Sequence, residues 1–194
     1  MCLEMTTSYT GRKTMSDIRF SGFGGQGVIR CSLIAGKALS IFDGKYASMT
    51  QSFGPEARGG ACSSGLVVSD TRVLYPYLGK VDVLVSMSQE AYEKYEPDMS
   101  DSGILLVDED LVSSRDARDD IRKYTIPSTR FAEEVGNRIF TNLVMLGFFT
   151  RITGIVTPEA MKQALPGLVP DRFLDKNMVA FDKGYDYGTE ALGE

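Results

Sequence analysis

Apolar and polar positions follow two regimes along this chain. Up to about Pro127 short apolar runs alternate with turn-forming residues, and beyond it apolar positions recur at helical spacing. The first regime opens with Ile18-Arg19-Phe20, which runs into Gly22-Phe23-Gly24-Gly25-Gln26-Gly27. Residues 28–39 then repeat apolar side chains every three or four positions, so the order is strand, glycine turn and helix, with a helix stop near Asp43-Gly44. A second strand is predicted over residues 45–51, completing a βαβ unit if the two strands run parallel. The loop that follows, Ser52-Phe53-Gly54-Pro55-Glu56-Ala57-Arg58-Gly59-Gly60, has a composition that demands unusual backbone angles.

Residues 61–69 alternate as a third strand, and a turn at Ser69-Asp70-Thr71-Arg72 leads to a short strand near Val73-Leu74-Tyr75. The β-branched run Val81-Asp82-Val83-Leu84-Val85-Ser86-Met87 suits a buried parallel strand, with Ser88 as cap of a helix over residues 89–95. Strands are predicted again at 103–108 and, more weakly, at 123–127, after a charged stretch over 113–122. Helices are predicted at 131–135, at 139–150, from Thr157 as cap with Pro158 in the first turn, and over 173–185. Residues 1–16 are polar and aperiodic and read as a loose N-terminal extension, with Met5 and Met15 as alternative starts. The expected fold is a single α/β domain over 17–194: a Rossmann-like, mainly parallel sheet, helices on its faces and a helical C-terminal third.

Composition narrows the function. A length of 194 residues suits one substantial core, and 43% apolar with 24% charged residues is ordinary for a globular protein. A net charge of −5 disfavours general binding to nucleic acid or to anionic membranes, both of which need a basic face. No apolar run approaches the roughly 20 residues of a membrane span, and the first residues lack a signal-peptide pattern, so a cytoplasmic location is expected. Cys2, Cys31 and Cys62 form no C-x-x-C pair, so this chain alone builds neither a zinc site nor an iron–sulfur cluster. Histidine is absent altogether, which removes the commonest general base and metal ligand.

Candidate chemistry therefore centres on binding. A strand, glycine turn and helix point backbone N–H groups and the positive end of a helix dipole at one spot, which suits a phosphate or pyrophosphate. A glycine turn that only lets a helix pack close on a sheet would look the same. The dinucleotide fingerprint also wants an acidic residue about 20 positions on, at the end of the second strand. That strand ends in Thr50-Gln51-Ser52, and Asp43 falls before it, so an NAD dehydrogenase is disfavoured against another pyrophosphate ligand. The Gln26 side chain is a phosphate-side amide or a solvent-facing first-turn residue. Arg58 grips a phosphate or pairs with Glu56, and its loop is expected to face the glycine turn across a crevice at the carboxyl ends of the strands. Cys31 and Cys62 read as core residues. Asp108-Glu109-Asp110 reads as a strand-end turn rather than a metal site, and no catalytic constellation is evident.

Four segments carry a resemblance: residues 18–28, Asp43-Gly44-Lys45-Tyr46, residues 50–60 and residues 81–89. With Asn142-Leu143-Val144-Met145-Leu146-Gly147 and Thr153-Gly154-Ile155-Val156, they resemble the gamma subunit of 2-oxoacid:ferredoxin oxidoreductases. The form Gly54-Pro55-Glu56-Ala57-Arg58-Gly59-Gly60 is most similar to the 2-oxoglutarate type. The resemblance implies a subunit of an enzyme that converts 2-oxoglutarate, coenzyme A and oxidised ferredoxin into succinyl-CoA, carbon dioxide and reduced ferredoxin. It implies alpha, beta and ferredoxin-like delta partner subunits holding thiamine diphosphate, magnesium and iron–sulfur clusters, and a gamma chain on the coenzyme A side. Carried over by residue, Gly24, Gly25, Gln26 and Gly27 take the pyrophosphate. Ser52, Glu56, Arg58, Gly59 and Gly60 line the same crevice or the contact with alpha. The alternative is a purely structural gamma subunit of a pyruvate or other 2-oxoacid oxidoreductase, whose loops pack on partners and bind nothing small.

Overall fold

The computed structural model describes residues 15–52, 60–114 and 118–193. Six strands form one sheet: β1 (Met15–Phe23), β2 (Tyr46–Ser52), β3 (Ala61–Ser69), β4 (Val81–Ser86), β5 (Met99–Asp108) and β6 (Arg122–Ile126). Their order is β2-β3-β1-β4-β5-β6. Strands β1, β4, β5 and β6 pair in parallel, while β3 is antiparallel to both β1 and β2. Five of the six strands therefore share one direction, as expected of a mainly parallel sheet. Strand β1 begins at Met15, opposite Ser69, slightly ahead of the expected boundary at Asp17.

Two expectations are corrected. Strands β1 and β2 do run in the same direction, but they are not neighbours, because β3 sits between them. Every residue of β3 is buried, whereas β2 is exposed at both ends. A strand that buries both faces lowers the free energy most in the sheet interior, and β2 takes the edge. The strand expected near Val73-Leu74-Tyr75 does not form, and Leu74 is 86% exposed. That segment offers no two-sided apolar surface and serves as an irregular connection into β4, tied where Gly79 N donates to Asp17 Oδ2 at 2.7 Å.

Among the described residues there are six α-helices: α1 (Val28–Lys37), α2 (Gln89–Tyr95), α3 (Ser128–Val135), α4 (Thr141–Thr153), α5 (Pro158–Ala164) and α6 (Leu174–Ala191). A π-helical turn, Ala38–Phe42, extends α1. Capping explains two of the starts: Ser88 and Thr157 accept from the N–H groups of Ala91 and Ala160 in the first turns of α2 and α5. Alternation along the strands divides the core. Val83, Val85 and Leu106 join the large cluster under α1, α3, α4, α5 and α6, while Leu84, Leu105 and Val107 face α2 on the other side. Helix α4 lies deepest in the thick layer, buried continuously from Thr141 to Thr150. It meets α6 backbone to backbone: a Cβ on Gly147 would lie 1.9 Å from Phe181 O, and one on Gly184 would lie 1.9 Å from Val144 O.

Candidate functional site

Strand β1 ends at Phe23, and the chain turns through residues 24–27 before α1. Gly25 and Gly27 hold φ of 99° and 80°, a region open to glycine and costly for other residues. Gln26 braces this turn. Its Oε1 accepts from Phe23 N at 2.6 Å, and its Nε2 donates to Met87 O at 2.8 Å, so the amide ties the end of β1 to the residue after β4. The close seat of Gln26 also fixes Gly22, where a Cβ would lie 2.5 Å from Oε1. Because the amide is spent on the backbone, the turn and the first N–H groups of α1, which have no intrahelical acceptors, are what it offers an anion.

Around the turn lies a cleft of about 560 Å³, lined by Gly25, Gln26 and Gly27, by Arg30 of α1, and by residues from the carboxyl ends of the other parallel strands and the C-terminal helices. Arg30 is solvent-exposed on one wall, and Arg138, ion-paired with Glu133, stands on another. Leu111, Ile139, Phe140, Pro170 and Phe173 form an apolar side. Thr129 enters from α3, where its N and Oγ1 donate to Asp108 Oδ2 at 3.0 and 2.7 Å. Asp108 is fully buried at the end of β5 and also accepts from Ser128 Oγ, so it anchors the start of α3. Asp110 and Glu109 pair with Arg130. Among the described residues no cluster of Cys, Asp or Glu is arranged to hold a metal ion.

Asn142, in the first turn of α4, also lines the cleft. Its side chain packs against the turn so closely that a Cβ on Gly27 would lie 2.6 Å from Nδ2. Only 2% of the residue is exposed, and among the described residues its Oδ1 has no hydrogen-bond partner. The sequence pattern placed Asn142 at a helix start without a role.

The sequence-derived candidates divide accordingly. Gly25, Gln26 and Gly27 line the cleft, and Gly24 belongs to the same turn. Ser52 closes β2 opposite Ser63, and Gly60 precedes β3 at the same edge of the sheet, where Ala61 pairs with Phe23. Neither Ser52 nor Gly60 reaches the cleft wall. Glu56, Arg58 and Gly59 lie outside the described residues. Arg30, Arg138 and the apolar side were not anticipated, since they are brought in by helices whose pairing with the glycine turn leaves no local trace. Asp43 binds Thr157 through N at 2.8 Å and Oγ1 at 2.7 Å, which commits it to the start of α5 rather than to a ribose. Burial pushes the Cys31 thiol up to about 12 and also raises Cys62, so both stay protonated and unreactive at neutral pH.

The fold is a mainly parallel α/β sheet that carries a glycine turn, a helix start and two arginines around a partly apolar cleft. The chain belongs to the pyruvate ferredoxin/flavodoxin oxidoreductase family, which matches residues 17–187. It is 48% identical over 180 residues to the 2-oxoglutarate synthase subunit KorC of Methanocaldococcus jannaschii, covering 92% of this chain and 96% of that protein. The gamma subunit of a keto/oxoacid ferredoxin oxidoreductase from Geobacter sulfurreducens has 38% identity and a TM-score of 0.82, covering 91% of this chain and 98% of that one. A fold-level likeness, with 22% identity and a TM-score of 0.80, extends to the 2-oxoglutarate:ferredoxin oxidoreductase of Magnetococcus marinus, solved with 2-oxoglutarate, coenzyme A and succinyl-CoA bound. There the match covers 92% of this chain but 32% of the longer one. No helix among the described residues is long and apolar enough to cross a membrane.

Proposed function

We propose that this chain is the gamma-type subunit of a 2-oxoglutarate:ferredoxin oxidoreductase, and that its cleft holds coenzyme A while the oxidation itself takes place in partner subunits. The observation that carries this reading is the convergence of the glycine turn and α1 start with Arg30 and Arg138 beside an apolar wall. A pyrophosphate is matched by N–H donors and guanidinium groups, and an extended, weakly polar arm by the Ile139, Phe140 and Phe173 side. The similarity to KorC favours 2-oxoglutarate as the oxoacid.

In this reading the complex turns 2-oxoglutarate and coenzyme A into succinyl-CoA and carbon dioxide and passes the electrons to ferredoxin. Alpha, beta and delta subunits supply thiamine diphosphate, magnesium and iron–sulfur clusters, and the complex works in the cytoplasm. Arg58, Glu56 and Gly59, with Ser52 and Gly60, belong to the second loop and complete the coenzyme site or its border with alpha. The chain by itself turns nothing over.

The test is viologen-linked oxidation of 2-oxoglutarate by the complex purified with its partner subunits, wild type against Arg30→Glu. Reversing a charge beside the phosphates is expected to raise the KM for coenzyme A roughly tenfold or more, with the KM for 2-oxoglutarate unchanged. An unchanged coenzyme A requirement in an intact complex would leave this domain a purely structural subunit.

A further inference from the structure

Arg138 stands on the cleft wall because its backbone is locked there. Helix α3 stops at Gly136, whose φ of 122° ends the helical path, and Asn137 Oδ1 then accepts from Ile139 N at 2.9 Å to open the next turn. From the start of α4, Thr141 Oγ1 donates to Arg138 O at 2.8 Å. With the backbone held on both sides, only the torsions of the long side chain remain to be set. Glu133, in the last turn of α3, sets them through an ion pair with the guanidinium.

The nitrogen used in that pair is informative. Glu133 Oε1 accepts from Nε, at the inner edge of the guanidinium. Two arginines that do not line the cleft are held differently. Arg130 gives Nε to Asp110 and Nη2 to Glu109, and Arg118 engages Nε, Nη1 and Nη2 with protein oxygens. The Arg138 side chain is 74% exposed, so what enters the cleft can reach its terminal nitrogens. A guanidinium gripped at Nε presents Nη1 and Nη2 as a fork, which matches two oxygens of one phosphate.

An exposed ion pair of this kind contributes little to the stability of a fold. Its effect lies in order: an unheld arginine has many rotamers to lose on binding, and one already held loses fewer. We propose that Glu133 is a positioning residue of the anion site, taking the Nε edge of Arg138 so that the terminal nitrogens stand ready for a phosphate of the ligand. This inference rests on the coenzyme A reading of the cleft and adds to it a residue that touches no ligand atom. The Glu133 carboxylate also opposes the incoming phosphate through its charge. Glutamine at this position keeps an acceptor for Nε and removes the repulsion.

The experiment uses the complex with its partner subunits and measures kcat and the KM for coenzyme A. The variants are Glu133→Ala, Glu133→Gln, Arg138→Ala, Arg30→Glu and the double variant of Glu133→Ala with Arg138→Ala. Glu133→Ala is expected to raise the coenzyme A KM about fivefold with kcat held, and Glu133→Gln to return it to the wild-type value or below. Arg138→Ala should raise the KM about tenfold, and adding Glu133→Ala should change it no further, since its route to the ligand has gone. Melting temperatures of both Glu133 variants should match wild type, which separates positioning from a fold defect.

Three results would each overturn the role of Glu133: a KM that Glu133→Ala leaves unchanged or lowers, a loss that Glu133→Gln does not reverse, or a loss that adds in full to that of Arg138→Ala. The coenzyme reading would still stand if Arg30→Glu and Arg138→Ala raised the KM. Arg30→Glu and Arg138→Ala both at the wild-type KM would overturn the role and the reading together.

Discussion

The glycine turn is held in shape by one side chain. Gln26 bridges Phe23 N and Met87 O across the ends of two strands. Replacing it with alanine leaves both backbone groups without that partner and frees the turn, so Gln26→Ala is expected to lower stability by about 1–2 kcal/mol in urea unfolding. It should also raise the coenzyme A requirement of the complex, because the N–H groups it positions lose their fixed geometry. At this scale the sequence was legible where backbone conformation decides. The glycine turn expected between β1 and α1 is there, with Gly25 and Gly27 at positive φ. The sequence was silent where a side chain chooses between two uses: Gln26 had a phosphate-facing and a solvent-facing reading, and the staple across β1 and β4 is neither.

Among the elements, the tightest junction is α4 against α6. Gly147 and Gly184 let the two backbones touch, and the oxygens of Phe181 and Val144 occupy the space a Cβ would need. Those obstacles are main chain in the middle of helices and cannot swing aside. Gly184→Ala is therefore expected to destabilise the fold by roughly 3 kcal/mol, the upper part of the range for overpacking, as read from urea midpoints. A substitution at Gly154, where nothing lies within 4 Å of a built Cβ, lacks this clash and costs only the strain of its positive φ, so a smaller loss is expected there. Element identities were largely readable, since β-branched runs and caps such as Ser88 and Thr157 act locally. Sheet order was not. Periodicity marks Ala61–Ser69 as a strand, but its place between β1 and β2 follows from burial on both faces, a property of the assembled sheet.

For the whole molecule, the account turns on a cleft assembled from distant parts of the chain. The glycine turn lies near residue 25, whereas Arg138, Asn142 and Phe173 arrive from the C-terminal helices that roof the sheet. Composition showed what the domain lacks, histidine above all, and so pointed away from acid–base chemistry and towards binding. The second wall could not be read, because it depends on how α4 and α6 seat over the strand ends. The most direct measurement is amide hydrogen exchange on the assembled complex with and without saturating coenzyme A. Slowed exchange at residues 24–30 and 138–142, with β2 and α5 unaffected, is the expected result. Exchange that coenzyme A leaves unchanged in both segments would contradict a coenzyme site in this cleft.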